Sequence, residues 1–405
     1  MITQWFDPEP TFKGLIFARE LMRQGFDVEV VTGFPNYPGG KLYPGYKMRL
    51  LSREIIEGVA ITRVPLYPSH NHSGFGRVLN YASFAGSALI YGLFFAKRAD
   101  VIYTYHPPLT VGISASLIRI IRRIPVVYDV QDLWPDTLKA TGMFSNRIGL
   151  RLVAAVCRWV YRTVDHLVVL SPGFKRLLNE RGVPLDKIDV IYNWCNEDAI
   201  DSPLGGVPAE FPGADRFRIL YAGNIGKAQA LDAVLDAAEI LKELASNVVF
   251  VFLGGGLAAD HLRSRARGKG INNVVFLPAV PMSEVGTILN CADALLVHLR
   301  KDPLFDVTIP SKTQAYMAIG KPILMAVGGD AARLVTESLC GIVAESENAV
   351  SIAAAAVKLM ASGPEARRLM SENAKRFYKE HMALAIGVRR FAGVFVSLSS
   401  DRKCS

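Results

Sequence analysis

The sequence predicts an α/β protein of two domains, each a mainly parallel sheet covered by helices. Three observations predict it. At 405 residues the chain exceeds one typical core, and half of its residues are apolar, enough for two packed layers. Short β-rich runs alternate with helical stretches, the pattern of parallel strands joined by crossover helices. That rhythm breaks once, in a Pro- and Gly-rich segment near the middle, and then restarts.

The elements follow in order. Residues 11–24 are amphipathic at helical spacing and stop at Gly25. Strands are expected at 27–32, 59–64, 100–105, 125–129, 166–170 and 189–193, with helices between most of them. The stretch 202–213 holds three prolines and three glycines and reads as part of a linker over 199–216. Strands then recur at 218–222, 248–253, 273–277, 294–298, 322–327 and 341–343. Helices at 349–361 and 364–382, with a further helical pattern to about 398, close the chain. The expected organisation is a Rossmann-like domain over 1–198, the linker 199–216 and a second Rossmann-like domain over 217–382. A C-terminal helix in 383–405 is expected to pack back on the first domain. Two such sheets leave a cleft, and their ligands lie beyond the carboxyl ends of the strands.

Composition narrows the function. The net charge is +9, spread as 23 basic and 18 acidic residues over 1–205 and 23 and 19 over the remainder. No tail or block carries the surplus, which argues against a nucleic-acid arm and suits small anions or an anionic membrane face. Cys157, Cys195, Cys291, Cys340 and Cys404 are dispersed, so neither a disulfide framework nor a zinc site is expected, and a reduced cytosolic setting fits. The N-terminal residues do not read as a secretory signal. The uncharged run 78–96 has the length of a bilayer span, but Asn80, Ser83 and Ser87 interrupt it and a strand follows directly. A helix packed within the first domain is favoured over a span. A third reading lets that helix touch a membrane, helped by Arg77, Lys97, Arg98, Arg119, Arg122 and Arg123.

The most informative stretch is Pro310-Ser311-Lys312, a polar turn placed where a helix begins. A helix N-terminus offers unpaired N–H groups and partial positive charge, and Lys312 adds a full charge, so a phosphate is favoured there. Gly320 and Pro322 end that helix. Two further loops follow strands of the same sheet: Gly223-Asn224-Ile225-Gly226, with Gln229 beyond it, and Gly254-Gly255-Gly256. Each alone is as consistent with an ordinary turn; three converging loops make a diphosphate site. None is a Gly-x-x-x-x-Gly-Lys-Ser/Thr loop, so an ATP-hydrolysing site is not indicated. In the first half, Asp129, Asp132, Trp134 and Asp136 cluster after one strand. The carboxylates suit acid/base work and the indole a sugar or lipid acceptor, although a carboxylate there also serves as a helix cap. The loop 33–40, with Asn36 and Tyr37, is placed on the acceptor side, or else is a rigid connection. His106 reads as structural.

Taken in register, Phe34-Pro-Asn-Tyr-Pro, Asp129-Val-Gln-Asp-Leu-Trp-Pro-Asp, Val190-Ile-Tyr-Asn-Trp, Tyr221-Ala-Gly-Asn-Ile-Gly-Lys-Ala-Gln and the Pro310-Ser-Lys segment running to Gly320-Lys-Pro resemble retaining family-4 glycosyltransferases. The branch they resemble most is that of bacterial O-antigen and capsule enzymes such as the N-acetyl-L-fucosamine transferases. The resemblance implies a GT-B fold and a UDP-linked nucleotide-sugar held by the second domain, at Gly223, Asn224, Gly226, Gln229, Gly254 to Gly256 and Pro310 to Lys312. It implies a polyprenyl-diphosphate-linked saccharide on the first domain at Asn36, Tyr37 and Trp134, and transfer of an N-acetylated amino sugar with retention, using Lys312, Asp132 and Asp136. Neither metal nor cofactor is implied, and the expected location is the cytoplasmic face of the inner membrane, as a peripheral protein.

The chain departs from the family pattern at several positions. Asn224 and Gln229 stand where relatives carry Arg and Lys, and Gln131 replaces a His. Ala315 occupies the second place of a glutamate pair whose first place Asp306 only approximates, which puts the usual donor-ribose contact in question. Relatives begin with a full strand, whereas Met1 and Ile2 alone precede Thr3, so the start is read as falling inside that strand. Two other readings compete: a nucleotide-sugar 2-epimerase, for which no fitting His and Glu set is seen, and a degenerate nucleotide-sugar-binding subunit.

Overall fold

The computed structural model describes residues 1–69, 74–140, 146–201, 205–244 and 247–401. The chain forms two compact units, Met1–Tyr192 together with Gly387–Ser405, and Asn193–Ile386.

The first unit contains β1 (Glu29–Gly33), β2 (Ser52–Ile56), β3 (Val59–Val64), β4 (Ile102–Tyr105), β5 (Val126–Val130), β6 (His166–Val169) and β7 (Ile188–Val190). They run β2-β3-β1 and β4-β5-β6-β7, and Ile2 joins the two groups through parallel bridges to Val31 and Thr104. Ile2 thus stands in the place of a central strand. All pairs are parallel except β2 with β3. Strand β5 is buried throughout although it carries Asp129, whereas the strand Val248–Leu253 of the second unit, buried at every position, reads as an unbroken apolar run. Strand β2 was not expected. It is an edge strand carrying Arg53 and Glu54, and it turns back through Glu57 and Gly58, both at positive φ as a tight hairpin requires.

Helices α1 (Leu15–Arg23), α2 (Gly74–Phe94), α3 (Leu109–Arg122), α4 (Asp136–Ala140), α5 (Arg147–Thr163) and α6 (Pro172–Glu180) connect these strands. Right-handed crossovers put α2, α3, α5 and α6 on one face of the sheet, because β3-to-β4 and each later connection advance in the same direction. They put α1 on the other face. Helix α2 takes up the expected apolar run 78–96 as far as Phe94 and is packed on one side, where Asn80, Phe84, Ala88 and Tyr91 are buried.

The second unit holds one six-stranded parallel sheet in the order β10-β9-β8-β11-β12-β13. Its strands are β8 (Phe217–Ala222), β9 (Val248–Leu253), β10 (Val274–Leu277), β11 (Ala294–His298), β12 (Ile323–Ala326) and β13 (Gly341–Val343). Chain order reverses between β8 and β11, so loops after these two strands diverge and open a crevice at their carboxyl ends. The helices are α7 (Glu197–Asp201), α8 (Asp232–Glu243), α9 (Ala259–Gly268), α10 (Met282–Cys291), α11 (Pro303–Asp306), α12 (Ser311–Ile319), α13 (Gly329–Glu337), α14 (Ala349–Ala361) and α15 (Gly363–Phe377).

The chain divides earlier than the expected boundary at 198. Residues 193–201 belong to the second unit, and part of the expected linker is helix α7. The cause is Glu197, whose carboxylate accepts hydrogen bonds from Tyr378 Oη at 2.7 Å and Leu384 N at 2.9 Å. Gly286 of α10 leaves room for the backbone of Ala199 and Ile200. Residues 202–204 of the linker lie outside the described residues. At the other end, α15 widens into a π-turn over Tyr378–Met382 and continues as α16 (Leu384–Asp401), which joins the first unit from Gly387 onward. Phe391 packs edge-on to Phe17 at 5.2 Å and to Tyr103 at 5.6 Å. Gly363–Ser400 is, among the described residues, the helical run long and apolar enough to cross a membrane. Its apolar part buries Val388, Phe391 and Phe395 against the first unit.

Candidate functional site

In the second unit the expected donor loops meet at the carboxyl ends of β8 and β9. Gly223 and Gly254 both have φ near +130–140°. A side chain on Gly254 would place its Cβ 2.1 Å from Gly223 O, and one on Gly256 2.5 Å from Ile225 O. Only glycine fits this approach. Hydrogen bonds lock the loops together: Gly223 N to Leu253 O at 2.9 Å, Ile225 N to Gly255 O at 2.8 Å and Ala258 N to Ile225 O at 3.0 Å. Gly255 faces open space.

Lys312 extends from the first turn of α12 over the Tyr221 ring, with Nζ 3.9 Å from its centroid and 2.6 Å from its hydroxyl. It reaches the same corner as Gly223, where an added Cβ would sit 3.0 Å from Nζ. No carboxylate among the described residues pairs with it, and burial pulls its ammonium down to about 7. The N-terminus of α12 has Pro310 at the cap position and no side-chain cap, and Thr313 N turns back to Pro310 O at 2.9 Å, so the Ser311 and Lys312 amides are the ones that face a ligand. Tyr316 ties α12 to β8, its hydroxyl accepting from Ala222 N at 2.9 Å. A nearly buried cation without a counter-ion, an uncapped helix end and two glycine loops are what an anion needs.

The remaining donor candidates differ in role. Gln229 turns back on its own loop, its Oε1 accepting from Gly226 N at 3.1 Å. Asn224 lies between Gly226 and Gly256. Ser311 is exposed beside Lys312. Asp306 packs against Gly328 and Gly329 at the start of α13, and Ala315 is half-buried in α12.

Sequence reasoning missed His298. It is buried at the end of β11, and both ring nitrogens are used. Nδ1 faces Gln229 O at 2.6 Å, and Nε2 accepts from Glu347 N at 3.2 Å, which fixes a neutral Nδ1–H tautomer. Burial lowers its pKa in the same sense. Arg300 N adds a bond to Ala228 O at 2.9 Å. One imidazole therefore holds the donor loop to the sheet. The signal in the sequence was a histidine ending an apolar strand, which alone does not name a partner.

In the first unit the three carboxylates at the end of β5 and beyond it separate, Asp129 lying within the strand. Asp129 is buried against Lys13 Nζ at 2.5 Å and Tyr103 Oη at 2.6 Å, with Gln131 on its other oxygen, a structural arrangement rather than a reactive one. Asp136 begins α4 and pairs with Arg181 at 2.6 Å. Asp132 has neither partner, and burial pushes its carboxyl up to about 6. Of the three, it is the group able to hold or release a proton near neutral pH. Trp134 packs edge-on to His106 at 5.7 Å. His106 is itself buried, with its pKa pushed down to about 3 by that burial, so it stays neutral.

The loop 33–40 is rigid, and a residue outside it makes it so. Glu9 is buried and accepts from Asn36 N and Tyr37 N, both at 2.7 Å, and from Phe6 N at 3.3 Å. Burial raises its pKa while these three N–H groups oppose the rise. Asn36, expected on the acceptor side, turns inward: Nδ2 donates to Phe34 O at 3.0 Å and Oδ1 accepts from Asn80 at 3.1 Å. Being short and amide-bearing, it satisfies the turn instead of facing out. Tyr37 stacks on Trp5 at 4.6 Å and stays half-exposed.

Comparison with known proteins identifies the two domains. Residues 16–194 match the glycosyl transferase 4-like domain and residues 209–377 match glycosyl transferases group 1. The chain is 27% identical over 311 residues to WcaI of Escherichia coli K12, named as a colanic acid biosynthesis glycosyl transferase, covering 74% of this chain and 75% of that one. It is 26% identical over 322 residues to WbjE of Pseudomonas aeruginosa, named as a glycosyltransferase, covering 76% and 77%. Among solved structures, Anabaena HepE in complex with UDP-glucose superposes with a TM-score of 0.68 at 14% identity, covering 98% of this chain and 99% of that one. Sucrose-phosphate synthase from Thermosynechococcus elongatus gives 0.69 at 14% identity, covering 99% of both chains.

Proposed function

We propose, from the premise that the chain belongs to the glycosyltransferases as a GT-B enzyme with a 4-like and a group 1 domain, that it moves an N-acetylated amino sugar, with retention, from a UDP-linked donor to a polyprenyl-diphosphate-linked saccharide. The work belongs to cell-surface polysaccharide synthesis at the cytoplasmic face of the inner membrane. The observation that carries this reading is Lys312, nearly buried, without a carboxylate partner, at the uncapped start of α12 and beside the paired glycine loops. In this reading the second unit holds the nucleotide diphosphate. As the glycosidic bond to the donor breaks, negative charge grows on the leaving diphosphate, and Lys312 with the α12 amides stabilises it without a metal. Loop amides at Gly255 and Gly256 approach the same group. On the first unit, Tyr37, Trp134 and Asp132 face the acceptor, Asp132 taking the hydroxyl proton.

Several observations support it. HepE, a protein of the same fold, is solved with UDP-glucose, and WcaI is named for colanic acid biosynthesis. Incubation with a panel of UDP-sugars and a polyprenyl-diphosphate saccharide tests the reading. A glycolipid product supports it. An epimerised donor makes the protein a 2-epimerase, and donor binding without turnover makes it a binding subunit, in line with Ala315.

A further inference from the structure

We infer that the outer face of the α2–α3–α5 layer docks on an anionic lipid surface, with α5 as its principal contact. The inference builds on the proposed transfer to a lipid-borne acceptor and names the surface that reaches it. The three helices contain no Asp or Glu at all, against seven arginines at 77, 119, 122, 147, 151, 158 and 162. Helix α5 presents an apolar stripe of Ile148, Leu152, Ala155 and Trp159, one helical turn apart, with Ile148 76% and Leu152 67% exposed. Arg147, Arg151, Arg158 and Arg162 run beside that stripe and pair with no carboxylate among the described residues. Apolar side chains flanked by arginines on one exposed helix face are the pattern of a helix lying in the bilayer interface, where lipid phosphates neutralise the guanidinium groups.

The neighbouring helices continue the surface. On α2 the exposed line is Leu79, Ala82, Gly86, Ile90 and Phe94, uncharged from end to end, with Phe94 74% exposed. Ile120 and Ile121 end α3 between them, both exposed. Two arginines expected to face headgroups do not: Arg119 forms a two-pronged pair with Asp165 at 2.7 Å, and Arg122 donates to Gly92 O at 2.6 Å and Ala96 O at 3.1 Å. The charge for docking therefore comes from α5 rather than α3. Helix α2 adds apolar area but not a span, since Asn80 on its buried side hydrogen-bonds Gln4 and Asn36.

Flotation with vesicles of phosphatidylglycerol in phosphatidylcholine tests this, using the full chain and no substrate. The native protein should float at low salt, be released by high salt and ignore pure phosphatidylcholine. Each basic side chain at such a surface is worth a factor of about five. Arg151→Gln/Arg158→Gln/Arg162→Gln should thus lower partition on the order of 100-fold while thermal unfolding stays cooperative. Leu152→Asp should weaken it with every arginine in place. Arg216→Gln/Arg263→Gln/Arg368→Gln, on the second unit, should leave it unchanged. Native-like flotation of the α5 variant, equal binding to uncharged vesicles, or a native dimer that buries Leu152 and Trp159 would each overturn the inference. Transfer to detergent-dispersed acceptor by a protein that never floats refutes docking alone, whereas docking without transfer refutes the proposed function alone.

Discussion

Lys312 gives the sharpest test of the donor site, because the charge that serves an anion should weaken the empty fold. Its ammonium is held at about 7, against 10.5 for a solvated lysine. The unfolded chain keeps that proton up to the higher value and the folded chain only up to the lower, so stability rises with pH across this window. At neutral pH the cost has an upper bound on the order of 4 kcal/mol, and partial exposure brings it to roughly 1–3 kcal/mol. Lys312→Met keeps the aliphatic stem on Tyr221 and removes the charge. It should raise Tm by several degrees while losing about 2–4 kcal/mol of transition-state stabilisation, about 30- to 1,000-fold in transfer. In the native enzyme kcat/KM for the donor reports the free-enzyme ionisation, so it should fall above pH 7 as Lys312 loses its proton, and Lys312→Arg should abolish that limb. Scanning calorimetry of both variants beside pH-dependent rates decides it. A flat kcat/KM through neutral and mildly alkaline pH, or Lys312→Met with lower Tm and native rates, would refute the reasoning.

Other expectations follow from single contacts. His298→Phe fills the same space but leaves Gln229 O and Glu347 N unpaired, at about 1–3 kcal/mol for each buried group; donor KM should rise about tenfold, and an unchanged donor KM would show that the loop holds without the imidazole. Gly254→Ala forces a Cβ to 2.1 Å from Gly223 O at φ +140°, so it should cost about 3 kcal/mol or more in urea unfolding; a midpoint equal to native would contradict the close loop packing. Glu9→Gln loses the charge that binds Asn36 N and Tyr37 N; acceptor KM should rise with donor KM unmoved, and a rise in both would make the effect global. Transfer should survive EDTA, since the diphosphate charge is met by Lys312 and backbone amides; loss restored by Mg²⁺ or Mn²⁺ would overturn the metal-free reading.

The legible parts of this molecule were those where local chemistry and fold agree. Strands such as β9, buried on both sides, announce themselves as apolar runs, and the glycines at 223, 254 and 256 mark loops whose backbones touch. Lys312 was legible because a cation at a helix start has few structural uses. What stayed hidden were partnerships over long sequence separation. Nothing near Asp129 names Lys13, 116 residues away, so three carboxylates looked alike until burial gave one to Lys13, one to Arg181 and left Asp132 alone. Asn36 and Glu9 were hidden for the same reason: the amide expected on the acceptor side satisfies the turn, and a carboxylate in the N-terminal segment, of which nothing was expected, holds the loop. Reactivity in this chain therefore falls to the charged groups the fold leaves without a partner of opposite charge among the described residues. Asp132 on the first unit and Lys312 on the second are such groups, one pushed up and the other down toward neutral pH by burial, as a proton acceptor and a phosphate-holding cation each require.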